Sequence, residues 1–324
     1  MEEEKRTQLK NELLGIKKET PISKLASKYG VSEQQILGII HGMNEDGHYI
    51  AMQPKGGEIL VLNKVSDLVS TKEYQFSTDD NGEFRFGCLS GLYIGSKYEQ
   101  PTLVENFYDR MAAQGIRKVF IVGNLTAGLY PLGNKYADTL YLKDSDQQID
   151  HIVNYFPKRD DITTYVVTGK TDEKHLRQVN IGQEISNQRS DIIYLGHLNC
   201  GIKIDKVNVR LFSSDLIQTY TLSYRAQQQI VAARRENQAD VLVLGGTHQL
   251  QAFPFNGTFA ITLPSMVSPT PEILDKRRDL VVGDVTVLIK TKNGKLVRTI
   301  PTVYQYERTV PNDYQKVYRK GAII

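Results

Sequence analysis

The sequence has few of the features that mark secreted or membrane proteins. It contains two cysteines, Cys88 and Cys200, which are too few for a disulfide framework and lack the paired spacing of a zinc site. It has no run of about eighteen apolar residues, and its acidic start, Met1 to Glu4, differs from the basic and then apolar start of a signal peptide. We therefore expect a cytoplasmic protein that has no membrane partner.

Positive charge is concentrated at the C-terminal end of the chain. The formal net charge is +3 over 324 residues. Residues 1–64 contain nine Lys/Arg and nine Asp/Glu, whereas residues 274–324 contain eleven Lys/Arg and five Asp/Glu, which is a surplus of six positive charges. An electrostatic contact with nucleic acid would therefore be expected at the C-terminal end.

The first 65 residues have the pattern of a small separate domain. Three amphipathic helical segments are followed by two short apolar runs around Gly56-Gly57, which is the order of a winged helix-turn-helix. Ser32 followed by Gln35 predicts a capping box at the start of the third helix. The length of the chain allows a large domain besides this one, so we predict a domain over residues 1–65 and a linker over residues 66–83.

The third helix of a winged helix-turn-helix enters the DNA major groove. In this chain Gln34, Gln35 and His41 would be its exposed contact residues. However, a domain with no net charge can neutralise few phosphates. A winged helix that docks a protein, or that only caps the larger domain, explains the same pattern, so both interpretations stay open.

From Phe84 onward, short apolar strands alternate with amphipathic helices, which predicts an α/β sandwich that becomes richer in strands towards its end. The predicted strands are Phe84–Phe86, Val119–Val122, Tyr165–Val167, Ile192–Leu195, Val209–Phe212, Val241–Leu244 and Phe259–Thr262. The predicted helices are Leu103–Ala113, Gln147–Tyr155 and Arg225–Arg235. Asn293-Gly294 between two further apolar runs predicts a tight hairpin.

Four sequence landmarks follow strand ends in a fixed order. They are Phe86–Ser90 with Gly95–Lys97, then Val119–Gly128, then Tyr165–Asp172, and then Leu242–His248. This order resembles the calcineurin-like metallophosphoesterases, in which the corresponding motifs are D-x-H, G-D, G-N-H-D and G-H-x-H. The resemblance covers roughly residues 84–270. It implies a calcineurin-like phosphoesterase α/β sandwich over residues 84–324 with a basic, β-rich C-terminal segment, preceded by the small winged helix domain.

The departures from the family fall on its metal ligands. The positions that match the family's metal site are Cys88, Ser90, Asn124, Lys170, Thr171, Asp172, Gly246 and His248. Only Asp172 and His248 keep the family's residue types, and Ser213-Ser214 stand where a further histidine is expected. A bridged pair of divalent ions needs several anionic and imidazole ligands. The comparison with the family therefore implies no metal, no other cofactor and no catalytic residue in this chain.

Single residues with reactive side chains give no substitute chemistry. Cys88 could be a thiolate ligand or nucleophile, but a small buried residue at a strand end is the interpretation that we favour. His197 and His248 have no carboxylate near them in sequence, so we expect hydrogen-bonded loop residues. Gly169-Lys170-Thr171 has the ending of a phosphate-binding P-loop, but Thr164 stands where its first glycine is required.

The main hypothesis is therefore a catalytically inactive metallophosphoesterase-like protein that serves as a nucleic-acid-associated binding or scaffolding subunit. The small subunits of replicative DNA polymerases resemble phosphoesterases, and some of them have lost the metal ligands, which suggests a replication or repair context. The candidate contacts near the C-terminus are Arg308, Lys316, Arg319 and Lys320, which interleave with tyrosines. A solvated edge hairpin explains the same composition.

Two alternatives remain at this stage. One is an active divalent-metal-dependent phosphodiesterase or nuclease that uses unusual ligands such as Cys88, Asn124, Asp172 and His248. The other is a protein-docking scaffold that binds no nucleic acid. The expected partners are thus DNA or RNA together with a protein, and the sequence leaves the oligomeric state open.

Overall fold

The structure is a computed structural model, which describes residues 3–16, 20–45, 50–55, 58–63, 74–131, 133–176, 178–214, 223–232, 238–275 and 280–316. The chain divides into two compact units, residues 1–69 with 176–179 and residues 70–175 with 180–324. Across these described residues, no helix has both the length and the apolar character needed to span a bilayer.

The first unit contains three helices and a three-stranded antiparallel sheet. The elements are α1 (Glu3–Gly15), β1 (Thr20–Pro21), α2 (Ile22–Tyr29), α3 (Glu33–Glu45), β2 (Ile50–Lys55) and β3 (Glu58–Asn63). The strand order is β1-β3-β2. Apolar side chains from all three helices and from β2 and β3 form one core, which includes Leu9, Leu13, Leu25, Ile36 and Val61.

The turn between α2 and α3 follows the predicted local chemistry. Gly30 ends α2 with a φ of 63°, a left-handed conformation that glycine adopts without steric cost. The Gln35 N–H donates to Ser32 Oγ over 3.2 Å, and the Ser32 N–H donates to Gln35 Oε1 over 3.0 Å. The predicted capping box is therefore confirmed.

The second unit is built on two six-stranded sheets. Its strands are β4 (Tyr74–Phe76), β5 (Glu83–Leu89), β6 (Lys118–Val122), β7 (Thr163–Thr168), β8 (Ile192–His197), β9 (Asn199–Ile204), β10 (Val207–Ser213), β11 (Val241–Gly245), β12 (Gln251–Phe255), β13 (Thr258–Thr262), β14 (Gly283–Lys292) and β15 (Lys295–Gln305). One sheet has the order β15-β14-β5-β6-β7-β8, and the other has the order β12-β13-β11-β10-β9-β4. Apolar side chains from both sheets form one shared core, so the predicted α/β sandwich architecture is confirmed.

Five α-helices accompany the sheets in the described part of this unit. They are α4 (Pro101–Ala113), α5 (Ser145–Tyr155), α6 (Ile181–Gln188), α7 (Tyr224–Ala232) and α8 (Pro271–Asp275). Every strand and helix predicted from Phe84 onward lies on an observed element, except that residues 233–235 of the third helix are outside the described residues. The strands β4, β9 and β12 were not predicted. β4 lies within the predicted linker 66–83 and pairs in parallel with β9, so this part of the linker belongs to a sheet.

The hairpin between β14 and β15 has the geometry that its sequence predicts. Asn293 has a φ of 55° and Gly294 has a φ of 78°, and two positive φ angles are what a type I′ turn requires. The two strands then pair from Lys292 and Lys295 as far as Gly283 and Gln305. The hairpin prediction is therefore confirmed, and it leaves β15 at the edge of its sheet.

The parallel strands bring several loops together. β5, β6, β7 and β8 run in parallel in one sheet, and β10, β11 and β13 run in parallel in the other. Loops after the carboxyl ends of such strands are where binding and catalytic groups are usually placed. These loops also hold the positions that resemble a phosphoesterase metal site.

Candidate functional site

The two sheets touch directly at the carboxyl ends of their strands. A Cβ atom added to Gly245 would lie 1.7 Å from the carbonyl oxygen of Val122, and one added to Gly123 would lie 1.9 Å from Ser213 Oγ. A Cβ atom on Gly169 would also approach Ser213 Oγ, to 2.5 Å. Distances this short exclude any side chain at these three glycines. The ends of the sheets are therefore closed against each other.

Ser90 joins the two sheets by hydrogen bonds. Its hydroxyl donates to the carbonyl oxygen of Val122 over 2.8 Å and accepts the N–H of Gly246 over 2.8 Å. Cys88, two residues earlier, belongs to the core between the sheets. Burial raises the pKa of the Cys88 thiol, and the negative charge of Asp284 raises it further. Cys88 thus stays a neutral thiol at neutral pH, as expected for a small buried residue.

Asn124 and His248 lie in one chain of buried hydrogen bonds. The Asn124 side-chain amide donates to the Tyr93 hydroxyl over 3.3 Å, and its Oδ1 accepts the N–H of Thr171 over 3.3 Å. The Tyr93 hydroxyl lies 3.2 Å from His248 Nε2, and His248 Nδ1 bonds Ser265 Oγ. Since Tyr93 accepts from Asn124, its hydroxyl can donate to Nε2, which leaves Nδ1 to donate to Ser265. Both ring nitrogens of His248 thus have protein partners.

Asp172 ties the loops that follow β6 and β7. Its two carboxyl oxygens accept hydrogen bonds from the N–H groups of Leu125, Thr126 and Gly169 and from the Thr126 hydroxyl, over 2.7 to 3.1 Å. Burial raises the pKa of Asp172, and these hydrogen bonds oppose that rise. Its oxygens are already satisfied by four donors, so we assign it a structural role in the loops.

Lys170 and His197 share one carboxylate. Lys170 Nζ and His197 Nε2 each lie 2.9 Å from Glu173 Oε1. The other ring nitrogen of His197, Nδ1, lies 3.0 Å from the Thr168 hydroxyl. His197 was expected to lack a carboxylate close in sequence, and its partner is indeed 24 residues away, brought close because β7 and β8 are neighbours. Thr171, between Lys170 and Asp172, donates its hydroxyl to the Thr126 carbonyl over 2.6 Å.

The residues at the strand ends do not fit a pair of divalent ions. Within the described ranges, no group of three or more His, Cys, Asp or Glu side chains is arranged to hold a metal ion. Asn124 and His248 are hydrogen-bonded on both of their polar atoms, and Gly246 has no side chain to offer. The positive charge of Lys170 is an additional obstacle, because it would repel a cation placed nearby.

The helix proposed to contact DNA, α3, has fewer side chains available for base contacts than its sequence suggests. Gln34 is exposed near the start of α3. Gln35 is also exposed, but its side chain accepts the Ser32 N–H in the capping box. The side chain of His41 lies outside the described residues. Of the two predicted base-contacting side chains that the structure describes, Gln34 is therefore exposed and not engaged in the cap.

Of the basic residues after β15 that were expected to contact nucleic acid, one is exposed, one is bonded and two lie outside the described residues. Arg308 is exposed. Lys316 lies 3.2 Å from Asp313 Oδ1 and donates to the Thr102 hydroxyl over 2.9 Å, so its charge is partly compensated. Arg319 and Lys320 lie outside the described residues.

Sequence reasoning missed three residues that shape the site. Tyr93 and Ser265 hold Asn124 and His248 in place, and Glu173 pairs Lys170 with His197. Glu173 could have been found, because it directly follows the Asp172 landmark. Tyr93 and Ser265 carry no local signal, since their role depends on how loops distant in sequence meet.

Comparison with known proteins gives weak likenesses. No protein-family model and no curated protein matches the chain. An archaeal phosphodiesterase structure is 11% identical and matches 68% of this chain and 100% of its own, with a TM-score of 0.37. Vacuolar protein sorting 29 from Cryptosporidium parvum is 16% identical and matches 69% of this chain and 99% of its own, with a TM-score of 0.33. A hypothetical protein from Pyrococcus horikoshii is 14% identical and matches 73% of this chain and 93% of its own, with a TM-score of 0.40. No family assignment follows from likenesses of this size.

Proposed function

We propose that this protein is a catalytically inactive, phosphoesterase-like protein that acts as a nucleic-acid-associated binding or scaffolding subunit. The observation that carries the proposal is the closed network at the strand ends. Each polar side chain at the landmark positions Ser90, Asn124, Thr171, Asp172 and His248 is hydrogen-bonded to another protein group. Groups bonded in this way are poor ligands, because binding a metal would first require those bonds to break.

The phosphoesterase-like origin is supported by the order of the four sequence landmarks. Each landmark lies where a strand ends, after β5, β6, β7 and β11. A hydrolase of this type uses two metal ions to polarise the phosphate and to generate hydroxide. The chain keeps the framework that would position such a site, but most of the polar side chains at the ligand positions are bonded to other protein groups.

A winged helix-turn-helix is proposed for the first unit. The order of its elements, α1-β1-α2-α3-β2-β3, and the capped turn between α2 and α3 support this proposal. Since the unit has no surplus of positive charge in residues 1–64, we assign it to protein docking or to a few base contacts. The salt-dependent part of nucleic-acid affinity is expected from the basic C-terminal region.

Metal content and hydrolysis test the loss of catalysis. The full chain is purified in the presence of manganese, dialysed and analysed by elemental analysis, and then assayed on bis-p-nitrophenyl phosphate and on single-stranded DNA. We expect no stoichiometric metal and no turnover above buffer with added manganese, zinc or magnesium. Turnover that rises with manganese and disappears in both Asn124→Ala and His248→Ala would refute the proposal and establish the enzyme alternative.

Binding of labelled oligonucleotides tests the proposed association with nucleic acid. Fluorescence anisotropy with a single strand and a duplex, over a series of salt concentrations, is expected to give an affinity that falls as salt rises. If neither probe binds at low salt, the nucleic-acid association is wrong, and a protein-docking scaffold becomes the better account.

A further inference from the structure

A groove crosses the outer face of the sheet beside its edge hairpin. Its floor is formed by alternate residues of β5, β14 and β15, where Leu288 lies between Arg85 and Ile300 in the pairing register. One wall is the C-terminal half of α4, including Arg110. α4 comes close to the sheet because Gly87 has no side chain, and a Cβ atom there would lie 2.6 Å from the Phe107 ring.

The groove and the sheet face beside it carry a surplus of positive charge. Arg85 and Arg110 line the groove, and Lys290 and Arg298 lie beside it on β14 and β15. Lys290 and Arg298 are paired across the hairpin, on the same face as Arg85. Two carboxylates on this face are bonded to three of these four cations. Glu83 lies 3.0 Å from Arg85 and 3.3 Å from Lys290, and the buried Asp284 bonds Arg110.

Tyr304 adds an aromatic surface to this groove. Its side chain is 48% exposed, although large apolar residues in sheets are usually covered. The Arg110 guanidinium lies 4.0 Å from the centroid of the ring, and the edge of Tyr306 packs against it at 4.9 Å between centroids. These two contacts hold the ring in a fixed orientation, while about half of the side chain stays open to a ligand.

Resting on the nucleic-acid association proposed above, we infer that this groove binds single-stranded nucleic acid. An unpaired base would stack on Tyr304, and backbone phosphates would contact Arg85 and Arg298, because an aromatic ring among cations is the usual platform for single strands. A duplex hides its bases from such a ring.

The inference is tested by anisotropy of a fluorescein-labelled oligo-dT of about 12 nucleotides, within the range of site sizes typical of single-strand grooves. The full chain is compared with Tyr304→Ala, Tyr304→Leu, Arg85→Gln and Arg298→Gln. The control is Lys143→Gln, which removes an exposed lysine that does not line the groove. A thermal melt of each variant confirms that it is folded.

Loss of the Tyr304 ring is expected to weaken binding about 5- to 20-fold with an unchanged salt slope. Each arginine replacement is expected to lower the slope of log affinity against log salt by roughly 0.7, the value for one phosphate contact on a single strand. Lys143→Gln should bind like the unmodified chain. A loss of affinity at constant salt slope identifies stacking on Tyr304, whereas a lower salt slope identifies phosphate contacts with the arginines.

The outcomes distinguish this inference from the proposal on which it rests. If the unmodified chain binds the oligonucleotide and all groove variants behave like Lys143→Gln, the groove is not the site, but the proposed function stands. If the unmodified chain binds no oligonucleotide at low salt, both fail. If the groove variants lose a co-purifying protein while they keep the oligonucleotide, the groove is a protein-docking surface and the inference is overturned.

Discussion

The burial of Glu99 predicts that the free energy of unfolding falls between about pH 6.5 and pH 8. The side chain is 3% exposed, and its oxygens accept the Gly95 N–H over 2.7 Å and the Tyr141 hydroxyl over 2.6 Å. Burial raises the pKa of Glu99 to about 8, against the two hydrogen bonds, and the nearby charge of Asp313 adds to the rise. His151 Nε2 lies 3.8 Å away, too far for a close ion pair.

The sign of this change in stability depends on whether the folded or the unfolded protein binds more protons. An unfolded glutamate releases its proton near pH 4.5, whereas the folded protein keeps it until about pH 8, so stability falls between these values. His151 and His175 act in the opposite sense. Burial lowers the pKa of both histidines from 6.5 to about 4, so their contribution rises with pH and is complete only when the unfolded histidines have lost their protons, above about pH 7.5. Between about pH 6.5 and pH 8 the two histidines therefore offset part of the loss that is due to Glu99.

The Glu99 contribution alone falls by about 1.6 kcal/mol from pH 6.5 to pH 8, because one proton corresponds to about 1.4 kcal/mol per pH unit and the slope fades near the folded pKa. The two histidines return roughly 0.8 kcal/mol over the same range, so the expected net loss is about 1 kcal/mol. Urea unfolding followed by far-UV circular dichroism at four pH values measures it. Glu99→Gln, which keeps the shape and remains neutral, should remove the decline. The matched control is the exposed Glu307→Gln. A decline of equal size in Glu99→Gln would refute the reasoning.

Two further substitutions test the buried charges. Arg110→Met should destabilise the protein by about 3 to 5 kcal/mol, because it leaves the buried Asp284 carboxyl without its partner; urea unfolding measures this, and a loss below about 1 kcal/mol would mean that the pair behaves like an exposed one. Asp172→Ala should cost more than about 3 kcal/mol in the same assay, since four donors lose their acceptor, and Asp109→Ala, at an exposed carboxylate, is the control.

Local chemistry made some elements predictable from the sequence. The Asn293-Gly294 turn needs two positive φ angles, and Asn and Gly are the residues that accept them, so the hairpin was specified by its own residues. The capping box of Ser32 and Gln35 depends on a spacing of three residues and on the helix that follows. Neither prediction needed any knowledge of the rest of the fold.

The missed strands have sequences that do not mark them as strands. β4 is three residues long and is stabilised by its parallel pairing with β9. β12 contains Pro254, which normally argues against a strand, but it lies at the edge of its sheet, where a missing N–H is tolerated. Such strands are determined by their neighbours, so a pattern of single residues cannot predict them.

The proposed absence of a metal site involves more than the identity of the ligands. Gly246 stands at the position that matches the first histidine of the phosphoesterase motif G-H-x-H, and its φ is +77°, with the Ser214 carbonyl oxygen 2.5 Å from the position of a Cβ atom. A histidine at this position would therefore be strained and would collide with the backbone. Restoring an aspartate at Asn124 would put a carboxylate against the N–H of Thr171 but would add no space for an ion. Because the strain at Gly246 belongs to the backbone, replacing ligand side chains one at a time is not expected to create a metal site at this edge.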